Sequence, residues 1–349
     1  MEADSTTYEK NLKTSVDNGP VLPFSTSPGN LKLYKELVTN NGDKILESQV
    51  VERLQAFGLL PKCVKCPTNK FDCKVTCRVA RVVDRVQWFC EGCGKRQPIR
   101  AGSFFLRLQC SILQALHIIL AWCEDADLNV VAEHFGVKPK AVTQLYDKLD
   151  EVAIKEYSKH RLGGSGSVVL AEMYPDCMNR LSPDTTDQPH GHRILMLADT
   201  NHIPTYYRLQ LIKEDFKKTN CSTTGSDQMV KNQIEEIISK SIEAGSMLMT
   251  GLSMPSIDGA YSIQQLTHCD NDMQNFLSTR IWRQATWVCA ASRDLCAGAA
   301  LPVLCAPAIQ RYLQAAAYRL RFGDGFYRHT LDTLAAECVA DRNTPDVEL

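Results

Sequence analysis

Two pairs of cysteines carry the strongest chemical signal in the chain. Cys63-Val-Lys-Cys66 and Cys90-Glu-Gly-Cys93 each hold two thiols three residues apart. A C-x-x-C turn aims both thiolates at one point, and two such turns supply the four soft ligands that a tetrahedral zinc ion takes. Gly92 and Gly94 permit the tight backbone of the second turn. Cys73 and Cys77 lie between the pairs, as spare thiols, alternative ligands or part of a second site. The same segment is strongly basic. Residues 61–100 hold ten lysines and arginines against Asp72, Asp84 and Glu91, an excess of seven positive charges. A solvated face can look like this, but basic residues around a zinc knuckle also suit the phosphates of nucleic acid. Arg78, Arg81, Arg85, Lys95, Arg96 and Arg100 are the candidate DNA contacts of this segment.

Positioning these groups needs a hairpin and then helices. Residues 75–89 are rich in β-branched side chains, with Val75, Val79, Val82, Val83 and Val86, which predicts a short β-hairpin between the knuckles and so a zinc ribbon. After it, Ile112, Leu116, Ile119 and Leu120 fall on one stripe of a helix. Asp127 is placed to cap a helix over 128–135, Gly136 to end it, and Pro139 to open another that runs to about Tyr157. Ala132, Gly136 and Val142 stand where a helix-turn-helix needs a small residue, a turn glycine and a buried aliphatic. The second helix offers Lys140, Thr143, Gln144 and Lys148, with Lys138 just before it, as phosphate and base-edge contacts. An ordinary helical hairpin has the same outline.

The whole chain constrains the reading further. At 349 residues it has room for two or three domains, and a hydrophobic fraction of 44% with 23% charged residues excludes a wholly disordered chain or a coiled-coil rod. The net charge is −1, so the basic segment is a local feature. Fifteen cysteines, an odd number, behind a polar start (MEADSTTYEK) point to a reducing intracellular compartment and not to a disulfide scaffold. The longest apolar run, 112–122, is broken by Gln114 and His117 and is too short to span a membrane.

Leu162-Gly-Gly-Ser-Gly-Ser167 reads as a joint, and no Gly-Lys-Ser/Thr follows it to make a phosphate loop. Beyond it, strands are predicted over 168–174, 193–198, 205–212 and 246–250, with helices over 230–242 and 308–321. Residues 280–328 hold seven arginines against Asp294 and Asp324, a second candidate basic surface. The fold class is therefore α+β and multidomain: an N-terminal zinc ribbon and helix-turn-helix followed by an α/β domain that fits an RNase H-like arrangement among others.

This order of features resembles the DDE transposases of Merlin-type DNA transposons and their insertion-sequence relatives. The resemblance rests on Cys63/Cys66, Trp88-Phe-Cys90/Cys93, Arg100-Ala-Gly-Ser-Phe-Phe105, Trp122, Leu162-Gly-Gly164, Val168-Val-Leu-Ala-Glu172 and Ile309-Gln-Arg-Tyr-Leu313 with Tyr318-Arg319, and spans about Leu33 to Leu334. It implies double-stranded DNA as partner, a homo-oligomer, a nuclear location, no membrane association and a catalytic RNase H-like domain. The positions aligned with the family's three acids, however, hold Ala171, Gly251 and Gln284. Paired divalent metals need clustered carboxylates, so structural zinc is expected and catalytic magnesium is not. The displaced acids Glu172, Asp199 and Asp258 offer the alternative of an active nuclease, with Glu172 expected on the strand face opposite Ala171. A protein-interaction module is the third reading. The expected divisions are a flexible tail over 1–32, an N-terminal helix region with the ribbon over 33–110, the helix-turn-helix over 111–161, the joint over 162–167, the transposase-derived domain over 168–334 and a C-terminal tail over 335–349.

Overall fold

The computed structural model describes residues 21–42, 44–68, 73–174, 192–213, 223–263, 271–294 and 302–343. It is a mixed α+β structure with two small sheets. The first is antiparallel, in the order β1 (Val75–Val79), β2 (Val86–Cys90), β3 (Arg96–Pro98). The helices α1 (Pro28–Val38) and α2 (Leu46–Phe57) precede it. The expected tail over 1–32 therefore gives way to a helix from Pro28 onward, and residues 1–20 lie outside the described residues.

Three helices follow the ribbon. In α3 (Ile112–Cys123), Ser111 accepts from the Gln114 amide and Gln114 accepts from the Ser111 amide, a reciprocal capping box that fixes the start. Asp127 caps α4 (Leu128–His134) by accepting from the amides of Asn129 and Val130. Gly136, at φ +60°, makes the left-handed turn into α5 (Pro139–Ser158), which opens on a proline.

The second sheet runs in the order β6 (Tyr206–Lys213), β5 (His192–Asp199), β4 (Val168–Met173), β7 (Met247–Thr250), β8 (Tyr261–Ser262). The β4–β5 and β5–β6 pairs are antiparallel, while β4–β7 and β7–β8 are parallel. Helix α6 (Thr223–Ser241) connects β6 to β7. Its Val230 and Ile234 pack on one sheet face with Val169, Ala171, Leu195 and Leu197. The opposite face carries Leu170, Ala198 and Tyr207, which lie side by side in register. Helices α7 (Asn271–Asp294) and α8 (Pro302–Phe322) cover that face: the Tyr207 ring lies 6.2 Å from Trp282, and the Leu211 amide donates to Gln310. With both faces covered, β5 is apolar without a break from Ile194 to Ala198.

One core runs from Tyr34 and Leu54 through Leu116, Trp122 and Leu145 to Leu313 and Tyr327. Helix α9 (Phe326–Asn343) lies against α1 and α3, so the expected tail from residue 335 is helical as far as Asn343, with Ala335 and Cys338 buried; residues 344–349 lie outside the described residues. The glycine joint is also tied down. Leu162 is buried and bridges to Ile242, Gly163 donates to Asp199 at 2.8 Å, and Gly164 donates to Ser246 Oγ at 2.8 Å. No helix among the described residues is long and apolar enough to cross a membrane.

Candidate metal centre and nucleic-acid interface

The ribbon hairpin sets which cysteines meet. In the β1–β2 register Val75 faces Cys90, and the Glu91 amide donates to the Lys74 carbonyl at 2.8 Å. Extending the register two residues puts Cys73 opposite Gly92, between the thiols of the second knuckle. That knuckle is closed by the Gly94 amide donating to the Cys90 carbonyl at 2.9 Å, with Gly94 at φ +70°. The sulfurs of Cys66, Cys73, Cys90 and Cys93 all lie within 4.8 Å of one another. Sequence spacing named Cys63 in place of Cys73. The structure leaves Cys63 exposed and outside the group, and the thiols close enough to hold one ion are those of Cys66, Cys73, Cys90 and Cys93.

Four thiolates around a zinc ion, with bonds of about 2.3 Å, stand about 3.8 Å apart. The cluster matches that scale, with Cys66 and Cys93 at 3.3 Å. Its acidities are unequal. The Thr68 hydroxyl, chiefly, pulls the Cys66 thiol down to about 6, and the same hydroxyl lowers Cys93. The amide of Cys93 favours the Cys90 thiolate too, but burial and the neighbouring sulfurs outweigh it and push Cys90 up to about 11. Crowded thiolates of this kind ionise together only around a cation, so the donor set suits a soft divalent metal such as zinc.

The predicted DNA contacts divide into free and committed groups. Lys138, Lys140, Thr143 and Gln144 are exposed near the start of α5, the Thr143 hydroxyl already donating to the Pro139 carbonyl at 3.1 Å. Lys148, one turn further on, is half-buried, with its ammonium 5.9 Å from the Phe104 ring. On the ribbon, Arg81, Lys95 and Arg96 are exposed. Arg78 pairs with Glu91 at 2.9 Å and lies over the Phe89 ring, and Arg85 sits 3.5 Å from Glu47. Arg100 is not a surface contact. It is buried, donates to both Asp84 oxygens at 2.5 Å, and donates to the carbonyls of Leu108 and Cys110. Asp84 also accepts from the Ile112 amide, so this pair ties the ribbon to the start of α3.

The second basic surface is similarly depleted. Arg311 bonds Asp150 and the Asp147 carbonyl, and Arg319 bonds Asp125 while lying over Trp122. Arg321 stacks on Tyr206 and Arg328 lies 5.9 Å from Phe57. These arginines hold α8 and α9 to the rest of the molecule. Arg280 and Arg283 on α7 are exposed.

Ala171, Gly251 and Gln284 bring no carboxylates together. Ala171 faces α6, whereas Gln284 is exposed on α7, across the sheet. Glu172 lies on the face opposite Ala171, which is the face that α7 and α8 cover. Its carboxylate accepts from the amides of Met173, Leu252 and Ser253 at 2.9, 3.0 and 3.1 Å. It also fills the space of the missing side chain at Gly251, since a Cβ there would stand 1.9 Å from Glu172 Oε2. Burial holds the Glu172 carboxyl above its ordinary range despite the three donors. Asp199 is buried at the other end of the sheet, paired with Val169, where it accepts from Gly163 and Asn201. Three residues of strand, about 10 Å, separate its register position from that of Glu172. Asp258 is exposed and sits 3.5 Å from Lys231 of α6. Among the described residues the four cysteines are the one group of ligating side chains close enough to share an ion.

No family model, curated protein or solved structure matches the chain.

Proposed function

We propose that this chain is a duplex-DNA-binding protein on a transposase-like scaffold, with structural zinc in the ribbon and no strand-transfer chemistry. The observation that carries the reading is the start of α5. There Lys138, Lys140, Thr143 and Gln144 are exposed together at a helix N-terminus, after a capped short helix and a left-handed glycine turn. A helix presenting cations at its start and an amide and a hydroxyl oxygen on its second turn can enter a major groove and contact both phosphates and base edges. The ribbon adds Arg81, Lys95 and Arg96 as phosphate contacts. Zinc, held by Cys66, Cys73, Cys90 and Cys93, would cross-link the two ends of the ribbon hairpin.

The strand order, with β6, β4, β7 and β8 running in one direction and β5 alone against them, supports an RNase H-like reading of the second sheet. The sheet's two buried carboxylates, Glu172 and Asp199, stand about 10 Å apart in register and are each committed to backbone donors, where paired hard cations need several carboxylates close together. The proposed role is therefore binding, in the nucleus, and not cleavage.

A second reading, a protein-docking ribbon, has one observation in its favour. Val79, Val82 and Val83 are all exposed at the hairpin tip, where phosphate contacts have no use for them. Fluorescence anisotropy of a labelled duplex separates the two readings. Affinity that falls steeply between about 50 and 200 mM salt supports DNA binding, and absence of binding at the lower salt overturns it.

A further inference from the structure

Thr68 is half-buried two residues after Cys66. Its hydroxyl oxygen lies 3.1 Å from the Cys66 sulfur, 3.3 Å from Cys93 and 3.5 Å from Cys73. Nearly equal distances to three vertices place the oxygen on the axis of the face they define. With sulfurs about 3.8 Å apart, a point about 3.3 Å from each of three lies about 2.5 Å out of their plane. On the inner side that position would nearly coincide with the fourth sulfur, Cys90. The hydroxyl therefore sits outside, capping the Cys66–Cys73–Cys93 face. A metal at the centre would be about 3.2 Å away, too far for the oxygen to be a ligand.

We infer that Thr68 is a positioning residue of the metal centre: its single hydroxyl proton is shared among the thiolates of the Cys66–Cys73–Cys93 face, offsets part of their negative charge, and the hydroxyl closes that face to water or a fifth ligand. The inference rests on the metal reading above. Four thiolates on one divalent ion leave a net charge of −2 in a partly buried site, which hydrogen-bond donors outside the coordination sphere offset. A valine at 68 keeps the shape and removes the donor, whereas a serine keeps the donor.

The test uses the full chain loaded with zinc or cobalt. In chelator competition, Thr68→Val should bind zinc about 10- to 100-fold more weakly than the wild type, and Thr68→Ser should stay near it. In the cobalt form, Thr68→Val should keep its tetrahedral visible bands but move the sulfur-to-cobalt charge-transfer band to lower energy, because the thiolates lose a donor. A purely packing role would leave that band in place. Thr68→Ala provides the same comparison if the valine variant folds poorly. Wild-type affinity and an unshifted band in both variants would overturn the inference alone. A wild type that takes up neither ion would overturn the metal reading, and the inference with it.

Discussion

Replacing Gly251 by alanine drives a methyl group into the Glu172 carboxylate. The added Cβ would stand 1.9 Å from Oε2 and 2.5 Å from Cδ, where ordinary contacts begin near 3.4 Å. The carboxylate must withdraw by about 1.5 Å, and it then loses the amides of Leu252 and Ser253. A hydrogen bond to a charged group contributes about 1.5–3 kcal/mol, and some of this returns as the carboxylate regains water, so Gly251→Ala should destabilise by about 2–4 kcal/mol. Glu172→Ala should cost a similar amount. The double variant should cost less than the sum by about 1–3 kcal/mol, because the methyl then enters the space the carboxylate left. Urea unfolding of the wild type, both single variants and the double variant measures this coupling. Additive effects, within about 0.5 kcal/mol, would refute the shared space.

The same carboxylate has a pH signature. Burial raises its native pKa above the unfolded value, so the native state binds the proton more tightly. The resulting stability is fully present below the ordinary carboxylate pKa and is lost as pH rises through the raised native value. The stability of the wild type relative to Glu172→Gln should fall across that window, and a difference that is constant with pH would contradict it. Cys73→Ser should lose zinc and unfold the ribbon, while Cys63→Ser should keep one zinc per chain by metal analysis; the opposite pattern would restore Cys63 to the site. Arg100→Met should destabilise the protein by about 3–5 kcal/mol in denaturant unfolding, because Asp84 is left buried and uncompensated. A smaller loss with weakened DNA affinity would instead make Arg100 a surface contact.

Local signals carried the element order. The capping residues Ser111 and Asp127, the turn glycine Gly136 and the proline at 139 each act over three or four residues, so their effect is legible without the rest of the fold. The strands from 168 to 250 were legible as apolar runs for the same reason. The hairpin register was the missed local signal. Once the turn is set between Val79 and Val86, Cys73 falls opposite the second knuckle and Cys63 lies ten residues beyond it.

Other misreadings were long-range. Nothing near Arg319 or Arg311 in sequence announces Asp125 or Asp150, so arginines that bind helices together looked like a basic surface. Helix α9 looked like a tail because its partners, α1 and α3, lie some two hundred residues or more away in the chain. Glu172 meets Leu252 only through the parallel pairing of β4 and β7, which no local pattern encodes.

DNA binding is the central claim, and the salt dependence of duplex affinity tests it most directly. The zinc-loaded wild type should bind with a steep log–log slope. Replacing the exposed Lys138 and Lys140 together by alanine should weaken binding and reduce that slope by about 2, one unit for each phosphate that a lysine no longer neutralises. Lys148→Ala, at the half-buried position beside Phe104, should leave the slope unchanged. Equal slopes and affinities for the wild type and the double variant would contradict the account.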